Sequence, residues 1–123
     1  MIKNIKLFVN NNETSIRLAK LVENAFIRND FCVSDDSFDL GIAVGGDGSF
    51  IRMVRQCDFD SDINYIGVNA GTLGFLQEAN EHEINKLIRA IQINDYLPLY
   101  YYKQLPFLVQ KYHQGDNRLF GLL

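Results

Sequence analysis

Cysteine is scarce in this chain. Only Cys32 and Cys57 occur, far apart and in no Cys-x-x-Cys or Cys/His grouping, which excludes a disulfide framework and a zinc site. Two unpaired thiols imply a reducing compartment, with the cytoplasm as the default. Long apolar runs are missing too. None approaches the ~18 residues a membrane-spanning helix needs, and the start Met1-Ile2-Lys3-Asn4-Ile5-Lys6 lacks the apolar stretch of a signal peptide. Positive charge is not in excess. Twelve Lys and Arg against fifteen Asp and Glu leave a net charge of −3, and the pI is near 5.2. That balance argues against a nucleic-acid or anionic-membrane partner, but it leaves room for one local anion site. Secreted, membrane and disulfide-scaffold classes are out.

What is present suffices for one ordinary domain. At 123 residues, with 47% apolar and 22% charged residues, the chain can bury a core beneath an ordinary soluble surface. It has no internal repeat and no low-complexity stretch. Residues 5–9 read as a short strand. Asn10, Asn11 and Asn12 then offer N-cap acceptors, with Glu13 and Thr14 in a first turn where the helix dipole favours an acid. Leu18, Leu21, Val22 and Ala25 recur at helical spacing and predict an amphipathic helix ending near Arg28. Phe31, Cys32 and Val33 form a candidate second strand, and the acidic, Ser-containing stretch 34–39 a loop with Asp35 and Asp36 solvated.

Leu40-Gly41-Ile42-Ala43-Val44 is a continuous apolar run, the mark of a strand covered on both faces. It leads straight into Gly45-Gly46-Asp47-Gly48-Ser49, after which Phe50, Val54 and Cys57 share a helical face. Residues 65–68 repeat the arrangement, a buried strand running into Asn69-Ala70-Gly71-Thr72-Leu73-Gly74-Phe75. Asn80 is placed to cap a last helix with the apolar face Ile84, Leu87, Ile88 and Ile91, which puts His82 in its first turn as a surface residue. The alternation predicts the α/β class: a Rossmann-like parallel sheet with flanking helices, a nucleotide-binding domain over residues 1–95. Residues 96–123 read as a connecting segment and the first strands of an incomplete β-rich domain. Strands are expected at 99–102 and 107–112, a hairpin turn at 114–117 beside a surface His113, and a last strand at 118–123 that ends without a cap. Tyr100-Tyr101-Tyr102, with no basic residue interleaved, reads as two-sided strand packing rather than a base-stacking platform.

In an open α/β sheet, ligands bind beyond the carboxyl ends of the strands, and both glycine-bearing loops fall there. Glycines at 45, 46 and 48 let backbone N–H groups meet a ligand without a Cβ in the way. The helix start that follows adds donors and a partial positive charge, together an anion site, and Ser49 adds a hydroxyl. The pattern is neither a Walker A loop nor a Gly-x-Gly-x-x-Gly fingerprint. Asp47 is the informative member. A carboxylate beside a phosphate costs roughly 4 kcal/mol at 4 Å for an effective dielectric of about 20, so its presence implies a task. It would accept a proton from an attacking hydroxyl, or meet a metal carried with a nucleotide. The alternative is an Asp-Gly turn joining two antiparallel strands. Against that stand the preceding double glycine and the helical pattern that follows. The second loop taken alone is a tight strand-to-helix passage with Phe75 as core. Taken with the first, it would stack Phe75 on a planar ring while Asn69 and Thr72 hydrogen-bond. Arg52 is either a phosphate or substrate partner or an exposed helix arginine.

Gly45-Gly46-Asp47-Gly48-Ser49-Phe50-Ile51-Arg52 and Gly67-Val68-Asn69-Ala70-Gly71-Thr72-Leu73-Gly74-Phe75-Leu76 resemble the two N-terminal motifs of the NAD kinase family. The resemblance covers nearly the whole chain, as the N-terminal domain and the first strands of the next. The first motif is shared with diacylglycerol and sphingosine kinases and with phosphofructokinases; the second, in this order and spacing, is the more specific. The resemblance implies that Asp47 is the base for the adenosine-ribose 2′-hydroxyl of NAD, which attacks the terminal phosphate of ATP or polyphosphate to give NADP. It implies that Gly45, Gly46, Gly48 and Ser49 surround the phosphoryl donor. Asp47, Gly48, Arg52, Asn69, Thr72, Phe75 and Leu76 would bind NAD, and Mg²⁺ or another divalent cation would arrive with ATP rather than on a protein metal site. A homo-oligomer is implied at full length. Ser49 stands where the family more often has Thr and keeps the hydroxyl. The family carries a later Asn-Glu or Asn-Asp pair, just inside the second domain, that holds the NAD ribose, and the tail 117–123 reads as the approach to that pair and stops before it. The chain is therefore expected to be truncated, and inactive or weakly active alone. The runners-up are a lipid kinase of the same superfamily and a nucleotide-binding fragment without turnover.

Overall fold

The computed structural model describes residues 2–71, 74 and 76–93. The strands, hairpin and tyrosine run expected beyond residue 95 lie outside the described residues, as do Thr72 and Phe75. Among these residues four strands form, β1 (Asn4–Val9), β2 (Cys32–Val33), β3 (Leu40–Val44) and β4 (Asn64–Val68), with helices α1 (Glu13–Arg28), α2 (Asp47–Gln56) and α3 (Ile84–Gln92). Every strand pairing is parallel and the order is β2-β1-β3-β4, so the expected α/β sheet is present. The order runs from β1 to β2 in one direction and from β3 to β4 in the other. The sheet therefore has its switch point between β1 and β3, where open α/β sheets bind ligands. Val9, Val44 and Val68 stand in register, which brings the loops after β1, β3 and β4 to one edge.

All five residues of β3 are buried. One face of the sheet is covered by α1 with α3 beside it, and the other by α2. Asn12 caps α1, its Oδ1 accepting from the Ser15 N–H at 2.8 Å. Leu18, Ala19, Val22, Ala25 and Phe26 form its inner stripe, and the Phe26 ring meets Phe31 edge-on at 5.0 Å. Leu21, expected inside, is instead 58% exposed. It lies about 100° round the helix from the centre of that stripe, which Phe26 joins from the other side.

The start of α3 also differs from expectation. Asn80 does not cap it: its Oδ1 accepts from the His82 N–H at 2.9 Å, while its own N–H donates to Glu83 Oε1 at 3.2 Å. This side-chain turn is complete in itself, so the helix begins only with the apolar stripe at Ile84. His82 thus sits in the turn before the helix, exposed, with Glu81 Oε1 at 3.6 Å. The Asp-Gly hairpin alternative is excluded, because Asp47 and Gly48 are the first two residues of α2.

At the amino edge, Asp39 ties three strands together. Its Oδ2 accepts from the N–H groups of Lys3 at 3.0 Å and Asn4 at 3.1 Å. Its own N–H donates to the Asn4 carbonyl at 2.8 Å, and its carbonyl accepts from the Asn64 N–H at 3.0 Å. The Asn4 N–H foremost, and then that of Lys3, holds the Asp39 carboxyl below the ordinary carboxylate range. Cys32 is exposed and Cys57 half-buried, both as free thiols, and burial pushes the Cys57 thiol up. Among the described residues no helix is long and apolar enough to cross a membrane.

Candidate active site

The first glycine loop continues the strand pairing for one residue before it turns. The Gly45 N–H donates to the Val68 carbonyl at 2.9 Å. Gly45 then takes a φ of +148°. A Cβ here would strike Ser49 Oγ and come within 2.9 Å of Asn10 Cβ, so backbone and packing both demand glycine. Gly46 is the N-cap of α2, and its carbonyl accepts from Ser49 N–H at 3.1 Å and Phe50 N–H at 3.2 Å. Gly46 and Gly48 are different. A Cβ on either would meet nothing within 4 Å among the described residues. Packing does not require them, and what they provide is bare backbone at a helix start, which an approaching anion needs. Phe50, Met53 and Val54 are each 1% exposed or less and seat α2 against the sheet, which fixes where Asp47 stands.

The second loop closes over Asp47. After it, the chain returns alongside β4: Glu78 N–H donates to the Gly67 carbonyl at 2.7 Å and Asn69 N–H to the Ala79 carbonyl at 3.1 Å. Gly67 leaves room for this return, since a Cβ there would strike the Leu76 carbonyl oxygen. The result is that Asp47 Oδ1 accepts from the Leu76 N–H at 2.9 Å and from Gln77 Nε2 at 3.0 Å. Earlier in the loop, Gly71 N–H donates to Glu81 Oε2 at 3.0 Å. Glu81 accepts first from its own N–H and then from that of Gly71, and these bonds hold its carboxyl below the ordinary range.

A third loop joins these two. The Arg52 guanidinium donates through Nη2 to Asn10 Oδ1 at 3.2 Å and to Ser49 Oγ at 3.4 Å. It thereby links α2 to the chain leaving β1, across the switch point. A cleft of about 90 Å³ opens there, with Phe8, Val9 and Met53 as apolar lining and Asn10, Ser49, Arg52 and Gln56 as polar lining. Ser49 is only 7% exposed, so its hydroxyl serves this cleft from within. Arg52 therefore does more than solvate a helix: it braces two loops.

The structure brings Gly45, Gly46, Asp47, Gly48, Ser49, Arg52, Asn69 and Leu76 to the same edge. Leu76 contributes its N–H, while its side chain is buried. Asn69 directly follows β4, with its N–H engaged by Ala79. Sequence reasoning missed three members. Asn10 had a usable signal, a polar residue directly after a strand at the switch point. Glu81 and Gln77 had none, because their bonds reach back 10 and 30 residues. Among the described residues no three His, Cys, Asp or Glu side chains are grouped as metal ligands.

Comparison with known proteins bears on this geometry. Residues 4–96 match the ATP-NAD kinase N-terminal domain. The NAD kinase of Finegoldia magna is 35% identical over 89 residues, covering 70% of this chain and 32% of that protein. The NAD kinase of Latilactobacillus sakei is 32% identical over 89 residues, covering 72% of this chain and 33% of that protein. The NAD kinase of Streptococcus pneumoniae is 29% identical over 93 residues, covering 75% and 34% respectively. The chain spans about a third of the length of these curated relatives. With the family match taking in most of its residues, and a parallel sheet carrying both glycine loops at its carboxyl edge, this chain belongs to the NAD kinase family through its N-terminal domain.

Proposed function

We propose that this chain supplies the phosphoryl-transfer side of an NAD kinase site, moving the terminal phosphoryl group of ATP or polyphosphate to the adenosine-ribose 2′-hydroxyl of NAD. Asp47 takes the hydroxyl proton as the new O–P bond forms and the bridging O–P bond of the donor breaks. NADP and ADP, or a shortened polyphosphate, leave. The donor phosphates lie against the bare backbone of Gly46 and Gly48, with the Ser49 hydroxyl and the Arg52 guanidinium at hand. A divalent cation, Mg²⁺ in the first place, comes with these phosphates and neutralises their charge. NAD occupies the side of the second loop. The two free thiols suit a reducing, cytoplasmic setting.

The observation that supports this reading best is the Asp47 carboxylate, held at Oδ1 by two donors where the two glycine loops meet. A proton acceptor contributes about 10²- to 10⁴-fold when it is aimed, and two donors on one oxygen aim it. The test uses the active polypeptide that carries this chain, given labelled ATP with either NAD or diacylglycerol. NADP is the expected product. Phosphorylated lipid without NADP would overturn the assignment, and so would calorimetric NAD binding without any turnover.

A further inference from the structure

Gln77 is a polar side chain only 7% exposed, and it stands outside both glycine motifs. Its amide bridges the two loops. Nε2 donates to Asp47 Oδ1 at 3.0 Å, and Oε1 accepts from the Gly74 N–H at 2.6 Å. The network fixes which end of the amide is which, since a carboxylate can only accept and an N–H can only donate. Gly74 is built to the same contact. A Cβ there would lie 2.7 Å from both Asp47 Oδ1 and Gln77 Oε1, so the bridge exists only because residue 74 has no side chain. A surface glutamine has no need of such an arrangement.

We propose that Gln77 is a positioning residue for Asp47, a role that rests on the phosphoryl-transfer reading above. Leu76 N–H and Gln77 Nε2 together pin Oδ1, which sets the rotation of the carboxylate about its own axis and the angle at which it meets the incoming hydroxyl. The other half of the amide ties the second loop, which faces NAD, to the same carboxylate through Gly74. Base and substrate loop thus move as one unit. Proton transfer requires the acceptor within hydrogen-bond reach and correctly aimed, so the loss of one pin lowers the rate of the step more than the binding of either substrate.

Two substitutions separate aiming from scaffolding. Gln77→Glu keeps the length and an acceptor for the Gly74 N–H, but replaces the donor to Asp47 with a repelling carboxylate. Gln77→Met keeps length and volume and removes both polar ends. In the active polypeptide that carries this chain, both variants should lose about 10- to 100-fold in kcat, with KM for NAD changed less than about threefold. Gln77→Glu should lose at least as much as Gln77→Met, and thermal melts would confirm that both are folded. A purely structural bridge predicts a different split: both variants lose thermal stability, while kcat of the folded protein stays near wild type. That outcome overturns the proposal. Asp47→Asn in the same assay keeps the two readings apart. If it abolishes turnover while Gln77→Glu keeps the wild-type kcat, positioning falls and the kinase reading stands; if it turns over normally, both fall. A measurement without turnover guards against inactive preparations. In the 123-residue chain, the Gln77 side-chain amide protons should shift by NMR when Asp47 is replaced by Ala, and unmoved resonances would also overturn the proposal.

Discussion

The two edges of the sheet each carry an aspartate whose oxygen accepts two hydrogen bonds from a distant segment, and they use it differently. At the amino edge Asp39 Oδ2 takes two backbone N–H groups, and its own N–H and carbonyl complete the stitching of β1, β3 and β4. At the carboxyl edge a side-chain amide is among the donors to Asp47, and the adjoining glycines leave bare backbone where Asp39 has strands. At Asp39 the two backbone donors hold the carboxyl below the ordinary carboxylate range. What differs is the setting, since both are half-buried. Asp39 lies among strand ends, while Asp47 opens α2 between two glycines whose backbone is bare.

The most severe way to break this comparison is Asp47→Asn in the active polypeptide. Size and the bonds from Leu76 and Gln77 survive while the proton acceptor is lost, so kcat should fall by roughly 100- to 10,000-fold, or about 3 to 5.5 kcal/mol. The melting temperature should hardly move. Assaying NADP formation beside a melt checks both, and normal turnover in a folded Asp47→Asn protein would erase the distinction between the edges.

Next come the glycines. Gly45→Ala meets both a positive φ and a collision with Ser49, and should cost about 1 to 3 kcal/mol in urea unfolding. Gly48→Ala has open space and a helical position, so it should raise stability by at most about 1 kcal/mol. On the proposed placement of the donor phosphates the added methyl obstructs them, and KM for ATP should rise about tenfold. A Gly48→Ala protein with unchanged ATP kinetics would mean that the bare backbone is not a binding surface.

Asp39→Asn should cost about 1 kcal/mol or less, with no effect on turnover, since the site is partly exposed and an amide oxygen still accepts. Its pH dependence carries a sign. Folding lowers the Asp39 pKa, so its contribution is fully present above the unfolded value, about 3.9, and is lost as pH falls through the folded value. Urea unfolding at pH 7 and pH 3 should therefore show a difference between wild type and variant that closes at the lower pH. The smallest effect belongs to Leu21→Gln on the outer face of α1, within about 0.5 kcal/mol by the same measurement.

Much of this molecule could be read from the chain alone, wherever the governing physics is local. Residues 40–44 are apolar at every position and became the fully buried β3; Asn12 had a cap's chemistry and became the cap; a double glycine before a helical pattern became the start of α2. These follow from periodicity, backbone preference and hydrogen bonds spanning three or four residues. Local reading fell short where several choices were equally good in isolation. Asn80 could cap a helix or close its own turn, and Leu21 could join the apolar stripe or leave it to Phe26. It had no purchase on contacts made at a distance. Asp47 meets Gln77 across 30 residues, Arg52 meets Asn10 across 42, and Asp39 meets Lys3 across 36. Those partners are set by the parallel register that levels Val9, Val44 and Val68, and by the return of the chain past Gly67. Register depends on the burial of whole strands rather than on any motif, so a residue such as Gln77 acquires its role only once the sheet has formed.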